Sequence, residues 1–146
     1  MIKFRLNFRS DIFNVVVSDN RYTVIRGDSA RGKSFLLDVV DTVSKLERNF
    51  SIAGFRLYAA FSADKAAEYL QSFPPVIVFI DEDDAAIFAY KYAKNIVWGR
   101  NNHLVILSRE DFIWLPYGVA DSFIMERKGN VHNIVPLFES VADSNI

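Results

Sequence analysis

Residues 27–34 read Gly27-Asp28-Ser29-Ala30-Arg31-Gly32-Lys33-Ser34, which matches G-x-x-x-x-G-K-[ST] without a mismatch. Chemistry on a polyphosphate needs these residue types at this spacing. The glycines permit a tight loop whose backbone N–H groups converge on phosphate oxygens. A helix opening directly after the loop adds its positive N-terminal end. Lys33 would reach the β- and γ-phosphates, and the Ser34 hydroxyl would ligate Mg²⁺. Asp28 and Arg31 are unusual beside a polyphosphate, so their side chains are expected to point outward while their backbone serves. The nucleotide-contacting set is thus Gly27, Asp28, Ser29, Ala30, Arg31, Gly32, Lys33, Ser34 and Phe35.

A second constellation closes the apolar run 76–80, which ends in Asp81 and Glu82. Asp81 at a strand tip would hold Mg²⁺ through a water, across the sheet from Ser34. Glu82, one residue on, would polarise the water that attacks the γ-phosphate. The competing reading of 81–84 is an acidic helix start favoured by the dipole, and Asp83 and Asp84 are assigned that capping or solvated role. A third apolar run, 103–107, exits through Ser108 and Arg109. Were it flanked by the loop strand and the Asp81 strand, Ser108 or Arg109 would face the γ-phosphate and sense its presence. An ordinary polar exit is the equal alternative. His103 and His132, the chain's two histidines, are read as structural.

The elements that must position these groups are legible as periodicities. Ile2, Phe4, Leu6 and Phe8 alternate with Lys3, Arg5, Asn7 and Arg9, the period of a half-buried strand. Runs 13–17 and 22–25, joined through Ser18-Asp19-Asn20, suggest a hairpin. Apolar residues recur at helical spacing over 33–48. A strand is expected at 54–60 and a helix at 64–72, stopped by Pro74-Pro75. The unbroken run 76–80 suits a central parallel strand covered on both faces. Asp84 is expected to cap a helix reaching about Trp98, and 103–107 is a second buried strand. Runs 121–126 and 131–138 flank Lys128-Gly129-Asn130 and read as a terminal hairpin. Strands alternating with helices at this pace predict an α/β fold around a mostly parallel sheet. Trp114, Pro116 and Tyr117 are expected to pack over the end of that sheet.

The chain has 146 residues, which sets one domain over 1–146 as the expectation. At 51% hydrophobic, it carries ample core material and is unlike a disordered chain. Its net charge of −1 implies no general attraction to nucleic acid or anionic membrane. With no Cys, disulfides, thiolate nucleophiles and Cys-ligated metals are excluded. The charged, interrupted start is no secretory signal, and no apolar run approaches the roughly 20 residues of a membrane span. A cytoplasmic location is the economical expectation.

GDSARGKS together with VIVFIDE resembles the Walker A and Walker B pair of P-loop NTPases. The additional strand between them and the glutamate after the aspartate resemble the catalytic-glutamate branch that includes AAA+, ABC and RecA-like proteins. The resemblance covers about residues 22 to 126. The ordered motifs, through Leu115-Pro116-Tyr117, are also similar to small ATP-binding proteins found in Firmicutes genomes. The fold it implies is a three-layer P-loop fold with a mostly parallel central sheet in the order 5-1-4-3-2, plus N- and C-terminal β-hairpins. The implied catalytic residues are Lys33 and Glu82, the metal ligands Ser34 and Asp81, and the cofactors ATP and Mg²⁺. No lid domain, second-sensor arginine, LSGGQ-like signature or N-K-x-D motif is found. Adenine is therefore expected over guanine, with slow intrinsic turnover, acting through a protein partner or self-association. The rival expectations are a nucleotide-responsive interaction module without hydrolysis and a small P-loop kinase.

Overall fold

β-Branched and aromatic runs form nine strands in a computed structural model, which describes residues 1–27, 30–46, 51–72, 75–109 and 120–136. The strands are β1 (Ile2–Phe8), β2 (Asp11–Val17), β3 (Tyr22–Arg26), β4 (Ser51–Ile52), β5 (Phe55–Ala60), β6 (Val76–Asp81), β7 (His103–Ser108), β8 (Ala120–Lys128) and β9 (Val131–Pro136). Three helices are interleaved: α1 (Ala30–Leu46), α2 (Ala63–Leu70) and α3 (Glu82–Lys91). All nine strands join in one sheet, in the order β1-β2-β9-β8-β3-β7-β6-β5-β4.

This topology corrects the expected fold class. Five strands, β8-β3-β7-β6-β5, run parallel to their neighbours. The pairs β1·β2, β4·β5 and β8·β9 are antiparallel. The two terminal hairpins are not appendages to a central sheet. The parallel pairing of β2 with β9, from Ile12↔Val131 to Asn14↔Asn133, fuses them into it. Among the described residues the result is a nine-stranded mixed sheet with three helices, not a mostly parallel three-layer P-loop fold.

Helical cover is correspondingly uneven. On one face Leu36, Val39 and Val40 of α1 bury against Ile77, Phe79, Val105 and Leu107, and the same cluster extends to Phe13 and Val15 of β2. On the other face Ala66, Leu70 and Phe88 of α2 and α3 meet Val76, Val78, Ile80, Leu104 and Ile106. That second cluster takes no described residue from β1, β2, β8 or β9. The central strands β6 and β7 are thus covered on both sides, which is why they read as continuous apolar runs.

The expected hairpin between 13–17 and 22–25 does not form. β3 has both edges taken, by β7 and β8, so it cannot pair with β2. The connection is turned instead by side chains: Thr23 Oγ1 accepts from the Ser18 N–H at 2.9 Å, and the Ser18 hydroxyl donates to Asp121. The third helix also differs. Asp81, not Asp84, is its N-cap, and the helix stops at Lys91. A turn from Tyr92 O to Asn95 N–H follows, and Gly99 N–H donates to Leu70 O at 2.7 Å, drawing the chain back across α2. The loop helix starts at Ala30 rather than Lys33, and α2 starts after a Ser62 cap and ends at Leu70. The turn at Gly129, with φ of +63°, matches the strand break expected there. No helix among the described residues is long and apolar enough to cross a membrane.

Candidate functional site

Strand register decides which groups meet. Arg26, the last residue of β3, lies level with Ser108 at the end of β7, and Asp81 at the end of β6 lies level with Leu107. Three parallel strands therefore terminate on one rim and deliver Gly27, Ser108 and Asp81 to it. β7 lies between β3 and β6, the arrangement that a sensing role for its exit would require. From Gly27 the chain passes into α1, whose first turn carries no acidic side chain. A helix start of this kind favours an anion through its dipole.

A cleft of about 250 Å³ sits on this rim, lined among others by Lys33, Ser34, Asp81, Glu82, Asp83 and Arg109. Lys33 is buried, and its ammonium donates to the carbonyl of Gly27, folding back over the loop's own start. Ser34 is exposed on the helix end next to it. Asp81 holds an extended backbone, and its Oδ1 accepts the Asp84 N–H at 2.9 Å, which leaves Oδ2 for a ligand. Glu82 opens α3. Its Oε2 accepts from the Ser108 hydroxyl at 3.0 Å, and its Oε1 lies 3.9 Å from Arg109 Nε.

The electrostatics of the cleft are mixed. Lys33 and Arg109 face Asp38, Asp81, Glu82 and Asp83, an excess of negative charge that disfavours a bare polyphosphate. A divalent cation would cancel that excess. Burial raises the Asp84 carboxyl above its usual range, with the charges of Asp81 and Asp83 adding to it. Among the described residues no group of three His, Asp or Glu is placed to hold a metal alone. Mg²⁺ suits such a site, because it keeps several waters and takes one or two carboxylates plus substrate phosphates. Ser34 and Asp81 fit that donor set.

Lys33, Ser34, Asp81, Glu82 and Arg109 all line one cleft, and Ser108 reaches it through Glu82. Gly27 borders it through Lys33. Phe35 is different: its ring packs edge-on against Phe8, Phe13 and His132, so its side chain belongs to the core margin and not to a ligand. Asp28 and Ser29 lie outside the described residues, and beyond their helical backbone so do Ala30, Arg31 and Gly32. Trp114, Pro116 and Tyr117 lie outside them too. Both histidines have structural partners. His103 Nδ1 meets Asn20 O at 2.8 Å, and His132 stacks on Phe13 with Nε2 3.1 Å from Asp11 Oδ1.

Sequence reasoning missed Asp38 and Phe61, which also line the cleft. Asp38 had a signal, since it falls one helical turn after Ser34. Phe61 is half exposed and directly precedes the Ser62 cap. Only the level ends of β5 and β6, with Ala60 opposite Ile80, bring it to the rim. Comparison with protein-family models, curated proteins and solved structures finds no match to this chain.

Proposed function

We propose that this chain binds ATP with Mg²⁺ and hydrolyses it slowly, acting through a protein partner in the cytoplasm. One observation carries the reading: Lys33, Ser34, Asp81, Glu82 and Arg109, from three separate stretches of chain, line a single cleft beside Gly27. Lys33 stabilises phosphate charge, Ser34 and Asp81 hold the metal, and Glu82 orients the attacking water. Mg²⁺ supplies charge neutralisation of the phosphates when bound. Glu82 is itself held by Ser108 and faced by Arg109, which keeps its carboxylate aimed along the rim. The reading rests on this site and not on membership of a fold family.

The test is thermal melting with Mg-ATP and Mg-GTP, since a ligand that binds only the folded state raises the melting temperature with occupancy. ATP is expected to raise it, and Lys33→Ala to abolish the rise. Glu82→Gln is expected to bind ATP as wild type does while releasing no phosphate. Absence of any rise in folded wild-type protein overturns the proposal. A second reading, a nucleotide-responsive module without hydrolysis, draws on the same contacts of Glu82, because Ser108 and Arg109 already face both of its carboxylate oxygens. Wild-type binding without phosphate release selects it.

A further inference from the structure

We propose that a second cleft, lined among others by Arg26, Gly27, Arg109, Met125, Glu126 and Arg127, takes the nucleoside end of the bound nucleotide. This inference rests on the nucleotide reading above and deepens it. The two clefts share Arg109, and Gly27 lies between them: it lines the second and accepts the Lys33 ammonium of the first. The phosphate cleft offers about 250 Å³ and the second about 470 Å³. The smaller space suits phosphates and their metal. The remainder of a nucleotide has to leave it past the loop.

The second cleft has the chemistry for that remainder. β8 pairs with β3 only as far as Ile124, opposite Arg26, yet it continues to Lys128. From Met125 onward its β3-facing backbone edge therefore looks onto the rim. It passes close to the loop, for a Cβ added at Gly27 would lie 3.5 Å from Met125 O and 3.6 Å from Met125 Cβ. Met125 lies on the same face of β8 as Arg127, two residues on, and offers apolar surface to a base there. Arg127 has its Nε donating to Gly129 O at 2.9 Å, which fixes one edge of its guanidinium. A guanidinium plane held this way is a stacking surface for a base, and Arg26 supplies positive charge for an α-phosphate. A site for a second, separate anion would need no apolar wall, whereas a nucleoside uses both kinds of surface.

The experiment compares the binding of Mg-ATP and of Mg-tripolyphosphate, which has the phosphates and no nucleoside, to four full-length proteins: wild type, Lys33→Ala, Arg127→Ala and Arg127→Lys. Arg127 is exposed on the strand, so its variants are expected to fold, and circular dichroism checks this. Arg127→Ala and Arg127→Lys are each expected to weaken ATP binding by about tenfold, the order of a stacking contact, and to leave tripolyphosphate binding unchanged. Lys33→Ala is expected to weaken both ligands. If Arg127→Ala leaves ATP binding unchanged, or weakens both ligands equally, the nucleoside assignment is overturned while the nucleotide reading stands. If wild type binds neither ligand, the nucleotide reading fails and takes this inference with it.

Discussion

Asp81 is asked to do two things at once, and substitution separates them. Its Oδ1 caps α3 through the Asp84 N–H at 2.9 Å, from an extended backbone with φ of −78° and ψ of 166°. Its other oxygen is the proposed route to the metal. Asparagine caps a helix about as well as aspartate, whereas alanine in its place costs about 1 kcal/mol. For a domain of this size that is a fall of about 4 °C in melting temperature. Asp81→Asn is therefore expected to melt within about 1 °C of wild type, helped by relief of the charge that acts on Asp84. Asp81→Ala is expected to melt about 4 °C lower. Both variants should lose most of the Mg²⁺ dependence of ATP binding, measured by titrating ATP at zero and at saturating Mg²⁺. If Asp81→Asn binds Mg-ATP with the wild-type response to magnesium, Asp81 is a cap and nothing more. If Asp81→Ala melts with wild type, the capping bond adds nothing and the energetic reasoning fails.

Ser108 is fully buried and donates to Glu82; Ser108→Ala should slow phosphate release about tenfold with ATP affinity unchanged, and a loss of ATP but not ADP binding would instead make Ser108 a γ-phosphate contact. Asp84 has its pKa raised by burial and by its acidic neighbours, so folding favours its protonated form and the charged form strains the fold as pH rises through that raised value. Asp84→Asn should thus stabilise the fold at pH 7, by an amount that solvent screening keeps small. Denaturant melts should show the gain vanishing at pH 3, where the native acid is already protonated, and a constant gain across pH would refute the electrostatic cause. Asn102 is buried, accepts from Val76 N–H at 2.9 Å and donates to Leu70 O at 2.6 Å and Ser72 O at 3.0 Å. Asn102→Ala takes this partner from Val76 N–H and Ser72 O, while Leu70 O keeps the Gly99 N–H, and should cost roughly 2–4 kcal/mol, read as a shifted urea midpoint with an unchanged slope.

Local order was written in the residues, because side-chain periodicity and capping act over a few positions. The alternation of β1 keeps Leu6 buried and Lys3, Arg5 and Asn7 exposed. The helical spacing of Leu36, Val39 and Val40 buries one face of α1, and Gly129 turns β8 into β9. The residue types in the loop and at Asp81 and Glu82 were equally legible, since metal, phosphate and proton chemistry each demand particular groups. Sheet partnership was not. Nothing within β2 says that it pairs with β9, more than a hundred residues away, or that β3 leaves it to lie between β7 and β8. Such pairings depend on competition among all the strands for backbone partners, and that competition turned an expected mostly parallel sheet into a mixed one of nine strands. The same long-range register brought Ser108 onto Glu82, set Phe61 on the rim and packed Phe35 against the core margin. Residue identity fixes what each group can do, but only tertiary packing fixes which groups are within reach of one another.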